Sequence, residues 1–296
     1  MEKVYGGIEA GGTKFVCVIG MGPDDIRAET VFPTTTPEET IKQVVGFFNS
    51  YSGSDLLSAV GIASFGPLNL DSNSPEYGYI THTPKPGWEH TDILGIVKSA
   101  LSLPVAIDTD VNGAALAEYL WGAGKGIDSL IYMTIGTGIG GGGMVNGGLI
   151  HGLVHPEMGH IRIPHDREKD PFEGCCPYHG DCLEGLASGK AVEVRWGTPA
   201  EELPEDHPAW ELEAHYLALG IGNIICTLSP GKFITGGGLM KNPSLLLKVR
   251  EKTIEYLNGY IDSSKITEDI ENYIVTPGLG DYSGVLGAVA LARMND

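Results

Sequence analysis

The sequence predicts an α/β protein built as two similar lobes with a cleft between them, and three observations carry that prediction. Apolar runs of strand length alternate with segments of helical periodicity, as in layered sheets and helices. A strand, a glycine turn and a returning strand occur at residues 4–20 and again at residues 129–150. After each copy the chain continues into helices and further strands, so the second half echoes the first.

In order, residues 4–8 read as a strand and residues 14–20 as its return, so AGGTK (10–14) must turn the chain between them. A third strand is expected near 27–32. A helix follows over 37–50, where Thr36 can cap, Pro37 suits the first helical position and Glu39 completes a T-x-x-E box. Then come the buried strand AVGIAS (59–64), a helix near 91–101, the strand VAID (105–108) and a helix from about Asn112 to Leu120. The second half begins with SLIYMTI (129–135), turns through GTGIGGGG (136–143) and returns as MVNGGLI (144–150). A helix near 208–228, the strand KFIT (232–235) and a helix near 242–260 complete the echo. The last helix, near 283–294, contains VLGAVALA (285–292), apolar enough to pack back on the first lobe. The expected division is a small lobe of residues 1–117 with the final helix (283–296), and a large lobe of residues 118–282 carrying a zinc-binding loop.

The chain has 296 residues and 42% hydrophobic content, ample for such a core. No apolar run reaches membrane-spanning length, and MEKVYGG lacks the basic and apolar regions of a signal peptide, so a cytoplasmic protein without a membrane partner is expected. With 38 acidic residues against 19 basic ones, the net charge of −19 repels a phosphate backbone, which excludes nucleic acid as a partner. A nucleotide would need local help from glycine N–H groups, a cation or magnesium. Of five cysteines, Cys17 and Cys226 stand alone in apolar patterns and are expected to be buried. Cys175, Cys176 and Cys182 cluster, and without an export signal such a cluster points to metal rather than to disulfides.

AGGTK reads either as an ordinary turn or as an oxyanion site, since glycine N–H groups, a hydroxyl and an ammonium meet there. Two such turns brought face to face would clasp one phosphate chain, which favours the anion reading. Neither matches the Walker A pattern GxxxxGK[ST], and neither runs at once into a helix as a dinucleotide fingerprint does. A third glycine cluster, ITGGGLM (234–240), follows a strand and would let backbone approach the nucleoside or its phosphates. In AIDTDVNGAALAE (106–118), Asp110 stands just past a buried strand and before a helix, where open α/β sheets bind ligands. Helix cap and catalytic base are both open to it.

HPEMGH (155–160) carries Glu157 and His160 three residues apart. CCPYHGDCLEG (175–185) carries Cys176, His179 and Cys182 as C-x2-H-x2-C, followed by Glu184. Two thiolates and an imidazole, with His160 as a fourth ligand and Cys175 as a substitute, suit tetrahedral zinc. Four protein ligands would close that site, so its role is to fix a loop. His160 can bind through one ring nitrogen and present the other to a hydroxyl, while Glu157 and Glu184 accept from further hydroxyls. Each glutamate alone also reads as a solvated charge, and Glu184 as first turn of a helix. A phosphate grip, a base and a polyol pocket together predict phosphoryl transfer from a nucleotide to a sugar.

IEAGGTKF, GIASFGPLNLD, HTPKPGW, DTDVNGAALAE, TIGTGIGGGG, HPEMGH, CPYHGDCLEG and FITGGGLM, in that order, resemble the ROK family (repressors, open reading frames and kinases) of the actin-like (ribonuclease H-like) sugar-kinase ATPase fold. The resemblance covers nearly the whole chain. It implies Asp110 as general base and a sugar ligand, with Glu157, His160 and Glu184 as further sugar ligands. It implies an ATP site at Gly11, Gly12, Thr13, Lys14, Thr134, Gly136, Thr137, Gly138, Gly140, Gly236 and Gly237. Its metal motif has three cysteines after the histidine, whereas this chain has CPYHGDC, so the implied structural-zinc ligands are His160, Cys176, His179 and Cys182. Glu9 and Thr109 stand where many members have aspartate and asparagine. EAGGTKF with CPxHGDC is similar to the bacterial fructokinase branch, which implies magnesium and ATP as reactants with D-fructose and D-fructose 6-phosphate as product. Mannose or glucose is the alternative acceptor. A DNA-binding regulator is a second class of reading, against which the acidic charge and a first strand opening at Val4 speak, and a noncatalytic sugar-binding relative is a third, against which the candidate base and the glycine turns speak. A homodimer is expected from the family.

Overall fold

The structure, a computed structural model, describes residues 2–53 and 55–296. The chain opens with β1 (Lys3–Ala10), β2 (Lys14–Gly22), β3 (Asp25–Pro33), α1 (Pro37–Asn49) and β4 (Leu56–Ser64). A short ribbon of β5 (Tyr79–Ile80) and β6 (Thr91–Asp92) leads into α2 (Ile93–Leu101), β7 (Val105–Thr109) and α3 (Asp110–Trp121). Then follow β8 (Leu130–Ile135), β9 (Ile139–Val145), β10 (Gly148–Leu149), α4 (Leu183–Ala187), α5 (Gly189–Trp196), α6 (Ala209–Leu228) and β11 (Lys232–Gly236). The chain closes with α7 (Pro243–Leu257), α8 (Ser264–Thr267), α9 (Ile270–Tyr273), β12 (Ile274–Val275) and α10 (Ser283–Met294). It folds as two compact units: Met1–Gly126 with Gly148–Pro156 and Gly278–Asp296, and Ile127–Gly147 with Glu157–Pro277. A limit at residue 117 would cut α3, which runs on to Trp121; the first unit therefore continues to Gly126 and takes the chain back at Gly278.

In the first unit the sheet order is β3-β2-β1-β4-β7, with β1, β4 and β7 parallel and β2 and β3 antiparallel. Alternation along β2 sorts its side chains between two cores. Phe15, Cys17 and Ile19 join a cluster with Ile41, Val44 and Phe48 of α1 and Ile93 and Val97 of α2, whereas Val16 and Val18 pack with Val285 and Val289 of α10. The cap of α1 is as expected, with Thr36 accepting from Glu39 N (3.3 Å). α3 starts earlier than expected, because Thr109 caps it by accepting from Asn112 N (3.1 Å).

α10 lies closer to its neighbours than side chains normally allow. A β-carbon on Gly61 of β4 would come within 1.9 Å of Ala288 O, and one on Gly287 within 2.1 Å of the Gly113 backbone of α3. Buried Glu118 of α3 fixes the chain's exit from this unit and its return. Its carboxylate accepts from Ala123 N (2.7 Å), Gly278 N (2.9 Å), Leu279 N (3.0 Å) and Ser283 Oγ (2.7 Å).

In the second unit the strands run β9-β8-β11-β12, with β9 antiparallel to β8 and the rest parallel. The glycine turn is shorter than expected. Gly140 to Gly143 are strand residues, Gly140 pairing with Thr134, and a β-carbon on Gly141 would stand 2.7 Å from Met158 Cβ. Close packing of Met158 is thus one reason for glycine in the strand. Cys17 is buried, but Cys226 is exposed: it follows Ile225 around α6 onto the solvent side. Among the described residues no helix is long and apolar enough to cross a membrane.

Gly61→Ala is expected to lower the stability to urea by about 3 kcal/mol, at the upper end of overpacking costs, because the added carbon meets helix backbone that cannot yield alone. Equilibrium unfolding checks this; an unchanged midpoint would contradict the close approach.

Candidate functional site

Asp110 is the first residue of α3, and the Thr109 cap leaves its carboxylate out of the capping role. It is half-buried, accepts from Val111 N (2.9 Å), and burial raises its pKa to about 6. Glu9, at the end of β1, is raised to about 7, first by burial and then by the charge of Asp110, with Lys14 opposing and Asp281 adding to the rise. AGGTK forms a tight hairpin tip in which Gly11 N donates to Lys14 O (3.0 Å) while Thr34 Oγ1 donates to Gly11 O (2.7 Å). The Gly11 N–H is therefore used by the turn, and Gly12, Thr13 and Lys14 stand exposed.

The sequence reading passed over Asp108, the buried neighbour of the cap. It accepts from Thr109 N (2.7 Å) and Asn112 Nδ2 (2.9 Å), and His151 Nε2 donates to it at 2.7 Å. That bond raises the His151 pKa against the opposing effect of its burial. Nearby, His155 Nε2 accepts from Leu68 N (3.0 Å), and burial lowers its pKa. A buried carboxylate at a strand end needs partners, and this was the available signal.

In the second unit, Met158–His160 is a single 3-10 turn, closed by His160 N donating to Glu157 O (3.0 Å). It sets His160 Nε2 at 4.0 Å from both Glu157 Oε2 and Glu184 Oε1. The other ring nitrogen faces sulfur. His160 Nδ1 lies 3.7 Å from Cys176 Sγ and 3.5 Å from Cys182 Sγ, and His179 Nδ1 lies 3.6 Å from Cys176 Sγ. One donor atom from each of the four falls within 4.8 Å of the others, a group that could hold a metal ion, and Cys175 stands outside it. With ordinary zinc–sulfur and zinc–nitrogen bonds, the sulfur–nitrogen edge of a tetrahedron is about 3.6 Å, so the donor set and its spacing fit. Arg162 braces the loop through His179 O (2.8 Å) and Asp181 Oδ1 (2.6 Å).

Glu184, in the first turn of α4, spends one oxygen on the glycine turn: Ile139 N donates to its Oε2 (3.0 Å). The same turn receives Gly189 N on Gly136 O (2.7 Å) and Lys190 N on Thr137 O (3.3 Å). Gly136 N closes the turn on Gly138 O (2.9 Å) and Thr137 is exposed. At the end of β11, Gly236 is buried in the ladder opposite Thr134, while Gly237 takes φ +92°, with Ile135 O where a β-carbon would be (2.3 Å).

A profile of the ROK family matches residues 5–295. The chain belongs to the ROK family. It is 49% identical to the fructokinase of Zymomonas mobilis over 98% of this chain and 97% of that one. It is 43% identical to the fructokinase of Lactococcus lactis, over 99% and 98%. A solved ROK glucokinase from Streptomyces griseus, in complex with glucose and AMPPNP, superposes with a TM-score of 0.78 at 26% identity, covering 98% of this chain and 99% of that one. The actin-like α/β fold expected from the sequence is the fold of this ROK protein.

Because folding raises the Asp110 pKa above that of a free aspartate, the native state holds this proton more tightly than the unfolded chain. The group's contribution is fully present at pH below that of a free aspartate and is lost as pH rises through about 6. Asp110→Asn is accordingly expected to raise Tm at pH 8 and to change it less at pH 4; thermal unfolding at both values checks the sign.

Proposed function

We propose that the chain phosphorylates D-fructose at the expense of ATP, giving D-fructose 6-phosphate and ADP. The observation that carries this is 49% identity to a fructokinase along nearly the whole of both chains, against 26% to a glucokinase of the same family. Asp110, half-buried at a helix start with a pKa near pH 6, takes the proton of the attacking hydroxyl. The hydroxyl oxygen bonds to the γ-phosphorus, and the bond from that phosphorus to the bridging oxygen breaks, leaving its electron pair on ADP. Glu157, His160 Nε2 and the free oxygen of Glu184 hold other hydroxyls of the sugar.

The exposed tip residues Gly12–Lys14 and Thr137, with half-buried Gly138 and Gly237, take the ATP phosphates. Gly11, Gly136, Thr134, Gly140 and Gly236 shape those tips from the turns and ladders behind them. Glu9 offers a carboxylate to the magnesium that would accompany ATP, an ion that prefers oxygen ligands and would neutralise phosphate charge. His160, Cys176, His179 and Cys182 would hold a structural zinc, which would fix the His160 ring and leave Nε2 for a sugar hydroxyl. The nearest alternative acceptor is mannose or glucose.

The deciding assay compares kcat/KM with ATP and magnesium for fructose, mannose, glucose and N-acetylmannosamine. Fructose is expected to lead, and a lead for another hexose would move the substrate. Asp110→Asn is expected to lower kcat by about a thousandfold, within the range for general-base removal, while fructose still binds. In the wild type, kcat/KM should fall as pH drops below about 6, where Asp110 becomes protonated. Cys182→Ser is expected to release the bound metal and raise KM for the sugar more than it changes KM for ATP; unchanged zinc content would refute that ligand set.

A further inference from the structure

The β5–β6 ribbon of the first unit carries a loop whose chemistry the proposed reaction leaves unused. Ile80 pairs with Thr91, and His90 N donates to Thr81 O (3.4 Å), so residues 82–89 close on a fixed stem. The interior is anchored as well. Trp88 is fully buried, its Nε1 donates to Thr35 O (2.8 Å), and its ring packs 5.5 Å from both Phe15 and Phe65. Pro84 and Pro86 stiffen the stretch before it.

On this frame the side chains of His82, Glu89 and His90 converge in solvent. His82 Nδ1 contacts the Glu89 carboxylate. His90 adopts φ 57°, a left-handed conformation uncommon for a residue with a β-carbon, and its ring stands 5.2 Å from that of His82 with 72° between the planes. One donor atom from each of the three lies within 4.8 Å of the other two, and all three residues are exposed.

We propose that His82, Glu89 and His90 form a second metal site, on the surface, for a divalent transition ion of the zinc class. Two imidazole nitrogens and one carboxylate oxygen are the donor set of open zinc sites and suit Zn2+, Ni2+ or Cu2+ over Mg2+, which favours oxygen alone. The chain's net charge of −19 adds a long-range attraction for cations. The site has no thiolate and lies in the first unit, so it is chemically distinct from the Cys176–Cys182 group in the second. A bound ion would join the two arms of the loop through His82 and His90.

The test is calorimetric titration of Zn2+, Ni2+ and Mg2+ into the intact protein, already supplied with one equivalent of zinc, and into His82→Ala, Glu89→Gln and His90→Asn. Asparagine keeps access to the left-handed backbone at position 90. The intact protein is expected to take up one further Zn2+ or Ni2+ and no Mg2+, with each histidine substitution weakening uptake at least about tenfold. The double variant His82→Ala/His90→Asn should lose it, with Tm unchanged in the absence of added metal. Uptake that survives in the double variant overturns the proposal, as does no further uptake by the intact protein up to about 1 mM ion. Repeating the titration with Cys176→Ser/Cys182→Ser separates this site from the assigned zinc ligands: the extra uptake should persist there, and its loss would overturn the proposal.

Discussion

The first unit depends on a backbone approach that only glycine permits. α10 comes from the last residues of the chain, yet it packs against β1, β4 and α3, all before residue 122. Gly61 faces Ala288 O, and the backbones of Gly113 and Gly287 meet directly. Contact this close removes water from the faces of β1 and β4 not covered by α1 and α2, so the central strands are buried on both sides, as parallel strands require. It also fixes where α3 lies against the sheet, while the Thr109 cap sets its first residue. Asp110 is the first residue of that helix, so a seam formed by the last helix determines where the candidate base stands.

Four acidic residues in this unit show how environment gives one chemistry several roles. Glu118 and Asp108 are both deeply buried and both heavily hydrogen-bonded, Glu118 by backbone N–H groups and Ser283, Asp108 by Thr109, Asn112 and His151. Donors on this scale satisfy the oxygens and make each carboxylate a structural fixture. Asp110 and Glu9 are also crowded by protein but receive fewer donors, and burial raises both pKa values. Carboxylates held away from water without full compensation are the ones with proton affinity to spare for chemistry.

Local signals carried most of the fold. Apolar runs of strand length marked β1, β2 and β4, and the Thr36–Pro37–Glu39 pattern marked the start of α1. The candidate groups in HPEMGH and CPYHGDC were legible because the donor atoms that converge there come from short stretches of chain. What sequence did not reveal arises from distance. His151 is 43 residues from Asp108, and Gly278 is 160 from Glu118. No periodicity or spacing announces such pairs. Position 109 illustrates a second limit, since a threonine and an aspartate side by side can each cap a helix and only backbone geometry chooses between them. The run Gly140–Gly143 illustrates a third: glycine marks a turn or a tightly packed strand equally well until its neighbour, here Met158, is known.

In the second unit, Glu184 links the two candidate binding elements. One oxygen accepts from Ile139 N at the start of β9, and the other lies 4.0 Å from His160 Nε2. Cys182, one of the four clustered residues that could hold a metal ion, immediately precedes α4, so the loop that positions sulfur also positions Glu184. A shift of the Cys/His loop would pull this carboxylate from the glycine turn, and a shift of the turn would move the partner of His160. The bond from Ile139 N thus ties the turn to the loop, and breaking it would leave a part-buried N–H without its acceptor. For the proposed role of Glu184 in holding a sugar hydroxyl, the bond from Ile139 N takes one of the carboxylate's acceptor sites and fixes its orientation.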